Sequence, residues 1–264
     1  MSLLQTYQAI AEQEWIDIPQ GWLQGRTIYG GLVAGLMMQK AQYCIADPEK
    51  RLLSSSVTFV GPVQQGRARL TAEILRQGKS VTSIEVRLWQ DDAVQSILIA
   101  SFGVARESSI VVQQERAAPN FPPATELPVT EHNPLAPECF QQMDLVWAEG
   151  QYPFSASHKP DFAGWMRFKP EQHSNRAMNI ADLMVAFDMW PPGVLPMYKM
   201  MAPASSLTWQ LTCVHPLQSN LHDWLKYKVV TDYAAHGYST EQAHLWDSSG
   251  RLIAISRQVV TVFA

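Results

Sequence analysis

The sequence predicts an α+β fold built from two similar halves, each a single helix laid against an antiparallel sheet. Three observations carry that reading: a proline-rich break near the middle, an internal repeat of strand motifs on either side of it, and one helix-periodic segment before each set of strands. The break runs from Ala117 to Pro137. Its core, APNFPPATELPVTEHNPLAP, holds six of the chain's 17 prolines. Proline fixes φ and removes a backbone donor, so such a run is neither helix interior nor central strand. It divides the chain into an N-terminal unit (1–116), a linker (117–137) and a C-terminal unit (138–264).

The two units repeat one another. SSSVTFVGPV (54–63) and LTWQLTCVHPL (207–217) are both β-rich runs that close on a proline. Aligning Pro62 with Pro216 also superposes Thr58 on Thr212 and Val60 on Val214. SVTSIEVRLWQDD (80–92) then matches GYSTEQAHLWDSS (237–249), with Trp89 on Trp246, and SILIASFGVA (96–105) matches LIAISRQVVTVF (252–263). Alternation of apolar residues at Leu70, Ala72, Ile74 and at Ile84, Val86, Leu88 has the period of a strand with one buried face. Gln77-Gly78-Lys79, Asp91-Asp92 and Asp247-Ser248-Ser249-Gly250 supply hairpin turns.

Before the strands of the first unit, IYGGLVAGLMMQKAQYCI (28–45) has helical spacing, with Gly31, Ala34, Gly35, Met38 and Ala41 on one narrow face. Glycine weakens a helix, so its repeated use predicts a helix held unusually close to the sheet around it. NRAMNIADLMVAFDMW (175–190) is the corresponding helix of the second unit, ended by Pro191-Pro192. A helix wrapped by a sheet, twice in one chain, is a double hotdog. Its two sheets join at their edges into one continuous pseudo-dimeric sheet, which protects those edges.

Composition narrows the function. Charged residues are 17% of the chain, its formal net charge is −4, and 47% of residues are hydrophobic. This describes a well-buried protein with no polycationic surface for nucleic acid. Three scattered cysteines give neither a zinc motif nor a disulfide framework. The first residues lack the basic and apolar regions of a signal peptide, and no run of about 18 apolar residues suggests a membrane span. A cytoplasmic protein without metal or cofactor is expected. No GxSxG, GxGxxG or GxxxxGK[ST] pattern occurs, so serine-nucleophile, dinucleotide and nucleotide-triphosphate chemistry have no support.

Three patches resemble the acyl-CoA thioesterase II family. GRTIYGGLVAGLMMQKA (25–41) is similar to the opening of its first helix. SSLTWQLTCVHPLQSNLHDWLKYKV (205–229) is similar to its strand ending in a basic-Pro pair followed by Trp-Leu-x-Tyr, with His215 in place of the usual Arg. DSSGRLIAISRQVVTVF (247–263) is similar to its Asp-Gly-x-Leu-Val-Ala…Gln close. The resemblance lapses in the linker and in 138–174. It implies hydrolysis of an acyl-CoA substrate by a water activated by an Asp/Thr-or-Ser/Gln triad, here Asp188, Ser206 and Gln258, with Ser206 where Thr is usual.

The residues bear independent readings. Asp188 shares a helix face with Ala181 and Val185; facing the sheet it would be a costly carboxylate among apolar groups with a raised pKa, whereas just before Pro191 it could equally be a solvated helix end. Ser206 opens a strand whose Thr208, Gln210 and Thr212 share one parity, and Ser205 and Thr208 compete for its role. Gln258 is an amide in an apolar strand that needs partners if buried, or a surface residue of a two-faced strand. Gly30 and Gly31 place free N–H groups at a helix N-terminus, suited to substrate binding at a thioester carbonyl. The first helix has no Asp or Glu and the second has Asp188, which predicts one active site per chain, made from the second helix's acid and the first helix's glycines. Met189, Trp190 and the Met197–Met201 stretch read either as a flexible acyl tunnel or as core filler, and Arg67, Arg69, Arg76 and Lys79 as contacts for CoA phosphates or as solvated strand residues. Two other functions remain open at this level: a hotdog hydratase or dehydratase, for which neither helix supplies a central histidine and His173 is poorly placed, and a non-catalytic acyl-CoA-binding protein. Homo-oligomerisation through sheet faces also stays open.

Overall fold

The computed structural model describes residues 1–131 and 136–264; residues 132–135, which fall within the expected 117–137 linker, lie outside the described residues. One antiparallel sheet of eleven strands runs through the molecule in the order β1-β5-β6-β7-β4-β10-β13-β12-β11-β9-β8. The strands of the first half are β1 (Trp15–Asp17), β4 (Arg51–Phe59), β5 (Arg67–Gln77), β6 (Val81–Gln90) and β7 (Ala93–Gly103). Those of the second are β8 (Met143–Gly150), β9 (Phe162–Phe168), β10 (Ala204–Cys213), β11 (Leu225–Ala235), β12 (Tyr238–Trp246) and β13 (Leu252–Val262). A short hairpin of β2 (Leu23–Gln24) and β3 (Thr27–Ile28) leads into the long helix α2 (Gly30–Ile45). Two further α-helices complete the fold, α1 (Leu3–Glu12) and α3 (Ile180–Phe187).

The sheet is continuous because β4 of one half pairs with β10 of the other, Thr58 opposite Thr208 through Ser54 opposite Thr212. Each is flanked by its own half's last strand, β7 beside β4 and β13 beside β10. The sequence repeat therefore maps onto strands at equal distances from the centre. It extends to an irregularity: β4 has a bulge between Leu52 and Ser54, and β10 has one between Ser206 and Thr208, positions that coincide when Thr58 is set on Thr212. The hairpin turns fall where expected, with Asp91 and Asp92 both at positive φ and Gly250 at φ 89°.

Several expectations need correction. The second helix is shorter than the segment 175–190: it spans Ile180–Phe187, because Asn179 caps it and Asp188 already leaves it. Asn179 and Asp182 form a reciprocal capping box, and Asp182 also takes both guanidinium nitrogens of Arg176 at 2.6 and 2.7 Å. The glycine face of α2 meets α3 as well as the sheet: a Cβ on Gly35 would stand 2.6 Å from Val185 Cγ2 and 2.9 Å from the carbonyl oxygen of Ala181. Close approach of two helices, with α2 backed by β5, β6 and β7, is what selects glycine there. Elements absent from the repeat reading also appear: α1, β1, and the edge pair β8 and β9 in 138–174.

From Arg116 to Thr130 the proline-rich segment is a strap across the outer face of the second half. Its carbonyls are gripped in turn by Trp246 Nε1 (to Arg116, 2.9 Å), Lys226 Nζ (to Pro119, 3.2 Å) and Trp165 Nε1 (to Pro122, 2.9 Å). Phe121 and Leu127 pack with Trp165, Val146 and Trp224 beneath it, and Thr130 N–H reaches Leu145 of the edge strand β8. Prolines suit this course, since a strap lying on a sheet face has few backbone donors to satisfy.

Candidate active site

Asp188 is the first residue beyond α3, with φ −83° and ψ 0°. That position points it along the end of the helix toward the first turn of α2, where a Cβ on Gly30 would stand 3.1 Å from Asp188 Oδ2. Tyr29, the residue before α2, donates its hydroxyl to the Val185 carbonyl at 2.8 Å and so pins the start of one helix to the end of the other. The small residues of α2 thus serve the site as well as the packing, because they let a carboxylate from one half lie against the helix N-terminus of the other.

Gln258 and Ser206 come from neighbouring strands. β13 turns Gln258 to the inner face, and the Gln258 amide nitrogen donates to Asp188 Oδ1 at 3.0 Å and to Ser206 Oγ at 2.5 Å. One –NH₂ group with two donors bridges a carboxylate and a hydroxyl. The parity expected for Ser206 is corrected by the bulge. Ser206 pairs with Val260 and Trp209 with Gln258, so the extra residue puts Ser206 on the inner face with Trp209 and Leu211, opposite to Thr208, Gln210 and Thr212. Thr208 is exposed and lies on the outer parity, as the burial pattern of β10 shows.

Electrostatics follow from that placement. Burial pushes the Asp188 carboxyl up to about 7, against the lowering effect of the Gln258 amide and the Gly31 backbone N–H. The Gly31 N–H is therefore directed to the acid. A second carboxylate, unremarked from sequence, stands beside this group. Glu241 is buried at 4% exposure and lies opposite Gln258 in the β12–β13 register. It accepts the Gly193 N–H at 2.7 Å, and burial raises its pKa to about 8, aided by Asp188 and Asp161. Its sequence signal was an acid at an inward position of a strand, where the repeat has Ile84.

Rings flank the site. Trp190 stacks on Tyr227 with centroids 5.2 Å apart, and Trp147 and Phe162 close on Trp190 at 4.7 and 5.6 Å. Phe187 meets Trp209 edge-on at 6.4 Å. Of the residues considered for a tunnel, Met189 and Trp190 are buried, whereas Met197, Met200 and Met201 are exposed. Arg67 and Arg69 stack on Trp15. His173 is half-buried, bonded to Gln142 at 3.0 Å and lowered by desolvation to about 4; His215 pairs with Glu115 across the strap at 3.1 Å. Among the described residues no cluster of ligating side chains suits a metal ion, and no helix is long and apolar enough to cross a membrane.

Fold and site define a hotdog-type protein with a carboxylate, a hydroxyl and an amide gathered at the junction of its two helices. Solved structures agree on the fold. The chain is similar to a conserved hot dog fold protein of unknown function from Alicyclobacillus acidocaldarius (22% identity, 95% of this chain and 92% of that one, TM-score 0.82). It is also similar to a putative thioesterase II from Thermobifida fusca (18%, 98% and 97%, TM-score 0.81) and to the acyl-CoA thioesterase II TesB2 from Mycobacterium marinum (19%, 98% and 98%, TM-score 0.74). No curated protein matches the chain in sequence. Family models for the acyl-CoA thioesterase N-terminal domain and C-terminal domain match residues 18–103 and 115–262. The chain belongs to the acyl-CoA thioesterase family, whose members are thioester hydrolases.

Proposed function

We propose that the chain is a fusion of two hotdog units that hydrolyses an acyl-CoA to free acid and CoA at one site, without a covalent intermediate. The observation that carries this reading is the bridge from the Gln258 amide to both Asp188 and Ser206. With Gln258 donating to Ser206 Oγ, the serine keeps its own proton to give. A water held between that hydroxyl and Asp188 loses a proton to the carboxylate as its oxygen attacks the thioester carbon. The carbonyl oxygen gathers charge at the N-terminus of α2, where Gly30 allows close approach and the helix dipole favours an anion. As the tetrahedral intermediate collapses the C–S bond breaks, and the proton held by Asp188 leaves with the sulfur as CoA thiol. Gly31 serves by keeping Asp188 aimed and partly ionised.

A carboxyl near pH 7 suits this cycle, since it must accept a proton and then return it. The test is release of CoA from a panel of acyl-CoAs, read with a thiol reagent. Hydrolysis that is abolished in Asp188→Asn supports the mechanism. Unchanged turnover in that variant overturns it, and tight binding without release in the wild type would mark a binding protein instead.

A further inference from the structure

The pseudo-symmetry that places one site at Asp188 generates a second location, related to it by exchange of the halves. There the start of α3 replaces the start of α2, and Leu52 of β4 replaces Ser206 of β10. That location holds a cavity of about 530 Å³, lined among others by Asn179 and Ile180 at the α3 N-terminus, Leu52, Phe102, Cys213 and Leu217. Cys213 stands where Phe59 stands beside Gly30 in the first site. The cavity's size lies within the range of about 300–1,000 Å³ usual for small-molecule sites. The positions matching the catalytic ones are apolar: Leu52, Ala100 and, counted from the helix starts, Met38 occupy the places of Ser206, Gln258 and Asp188; all are buried, and Leu52 alone of the three lines the cavity.

The lining is amphipathic. Ile45, Leu52, Phe102 and Ile180 form an apolar wall, while Lys50 and Arg51 stand at the same cavity with one acid, Asp47. The Lys50 side chain is buried and engaged by Asp47 at 3.3 Å and Thr82 Oγ1 at 3.0 Å, whereas Arg51 is exposed. The side-chain oxygen of Gln42, also on this lining, is buried without a hydrogen-bond partner, an arrangement that calls for a donor. A ligand complementary to this lining has an apolar arm, amide N–H groups along it and an anionic end. We propose that this second cleft binds a CoA thioester and does not hydrolyse it. The acyl and pantetheine arm lies on the apolar wall, an amide N–H answers Gln42, and the phosphates meet Arg51. With Met38 in the place of Asp188 and the one lining acid, Asp47, tied to Lys50, no carboxylate is placed to activate water and the thioester stays intact.

The choice of ligand rests on the function proposed above, because it assumes that both clefts descend from one thioester-binding plan. Octanoyl-CoA binding to the Asp188→Asn chain, measured by isothermal titration calorimetry, tests it. Two equivalents per chain are expected, and Arg51→Glu with Leu217→Trp should weaken one of them at least ten-fold. In a chain that keeps Asp188, the same pair of substitutions should leave octanoyl-CoA hydrolysis intact. A single equivalent, or a second one indifferent to both substitutions, overturns the proposal; so does occupancy of the second cleft by octanoate but not by octanoyl-CoA. If the wild type failed to hydrolyse octanoyl-CoA and yet two equivalents bound, one of them sensitive to these substitutions, the hydrolase reading would fall while the second site stood.

Discussion

The two halves share a strand order, a bulge and a register, and differ in what they place at equivalent points of the inner face. In the second half Ser206, Glu241 and Gln258 sit on adjoining strands and Asp188 ends the helix. In the first half the matching points are Leu52, Ile84, Ala100 and Met38, each exposed by 1% or less. The fold tolerates either set. Burying carboxylates costs free energy unless partners meet them, and only the second half provides those partners: the Gln258 amide and Gly31 N–H for Asp188, and the Gly193 N–H for Glu241. The apolar half therefore shows what stability alone selects at these points, and the polar half shows what departs from it.

The largest test of that contrast is removal of the acid. Asp188→Asn should lower kcat by about 10²–10⁴-fold, with little change in acyl-CoA binding. The reverse transplant, Met38→Asp with Leu52→Ser and Ala100→Gln, should give no second activity and destabilise the chain by roughly 3 kcal/mol or more, read as a lowered urea midpoint. Next in size is Gln258→Ala, which imposes the first half's residue on the second. It frees Asp188 from its bridge and should lower kcat about ten- to a hundred-fold, with KM nearly constant; Ser206→Thr should keep most activity.

The pH dependence sharpens the comparison further. Asp188 and Glu241 titrate near 7 and 8 in the folded chain, above their ordinary carboxyl values. The folded state then holds protons that the unfolded state has released, so stability falls as pH rises from the carboxyl range through 7–8. Glu241→Gln keeps an acceptor for Gly193 and removes the upper part of that fall, seen as a smaller loss of Tm between pH 6 and 9. Activity should rise with pH through about 7 as Asp188 ionises. The smallest effect belongs to the paired tryptophans. Trp246→Phe loses the hydrogen bond to the strap, and Trp89→Phe loses one to Thr71 at 2.9 Å. Each should cost about 1 kcal/mol, but only Trp246→Phe should hasten proteolysis near residue 116.

Much of this plan was legible in the sequence. The repeat of Pro62 with Pro216 and Trp89 with Trp246 located three strands in each half, since alternation and turn chemistry are local properties of the chain. What escaped was whatever depends on distant partners. Strand β9, Phe162–Phe168, is buried at nearly every position, so it lacks the alternation that betrays a one-sided strand. The helix α3 was overestimated because the Asn179/Asp182 box marks its start inside an otherwise apolar run. The parity of Ser206 was misjudged because a bulge is invisible in strict period-2 counting. At the candidate site, Asp188, Ser206 and Gln258 were singled out through family resemblance, and the structure brings the three side chains together. Glu241 could have been found from the repeat alone, as a charge set against Ile84.

The strap has a consequence for where the two halves can be cut apart. Its stretch from Arg116 to Pro122 belongs physically to the second half, held there by two indoles and an ammonium group, although it follows directly on the first. A gene cut at the end of the prolines would leave the second product with a bare, tryptophan-rich outer face and the first with a sticky tail. A cut in the exposed stretch before Glu115 would give each product the covering it needs. A cut that separates the halves cleanly therefore falls upstream of the prolines, in a segment that the sheet does not use.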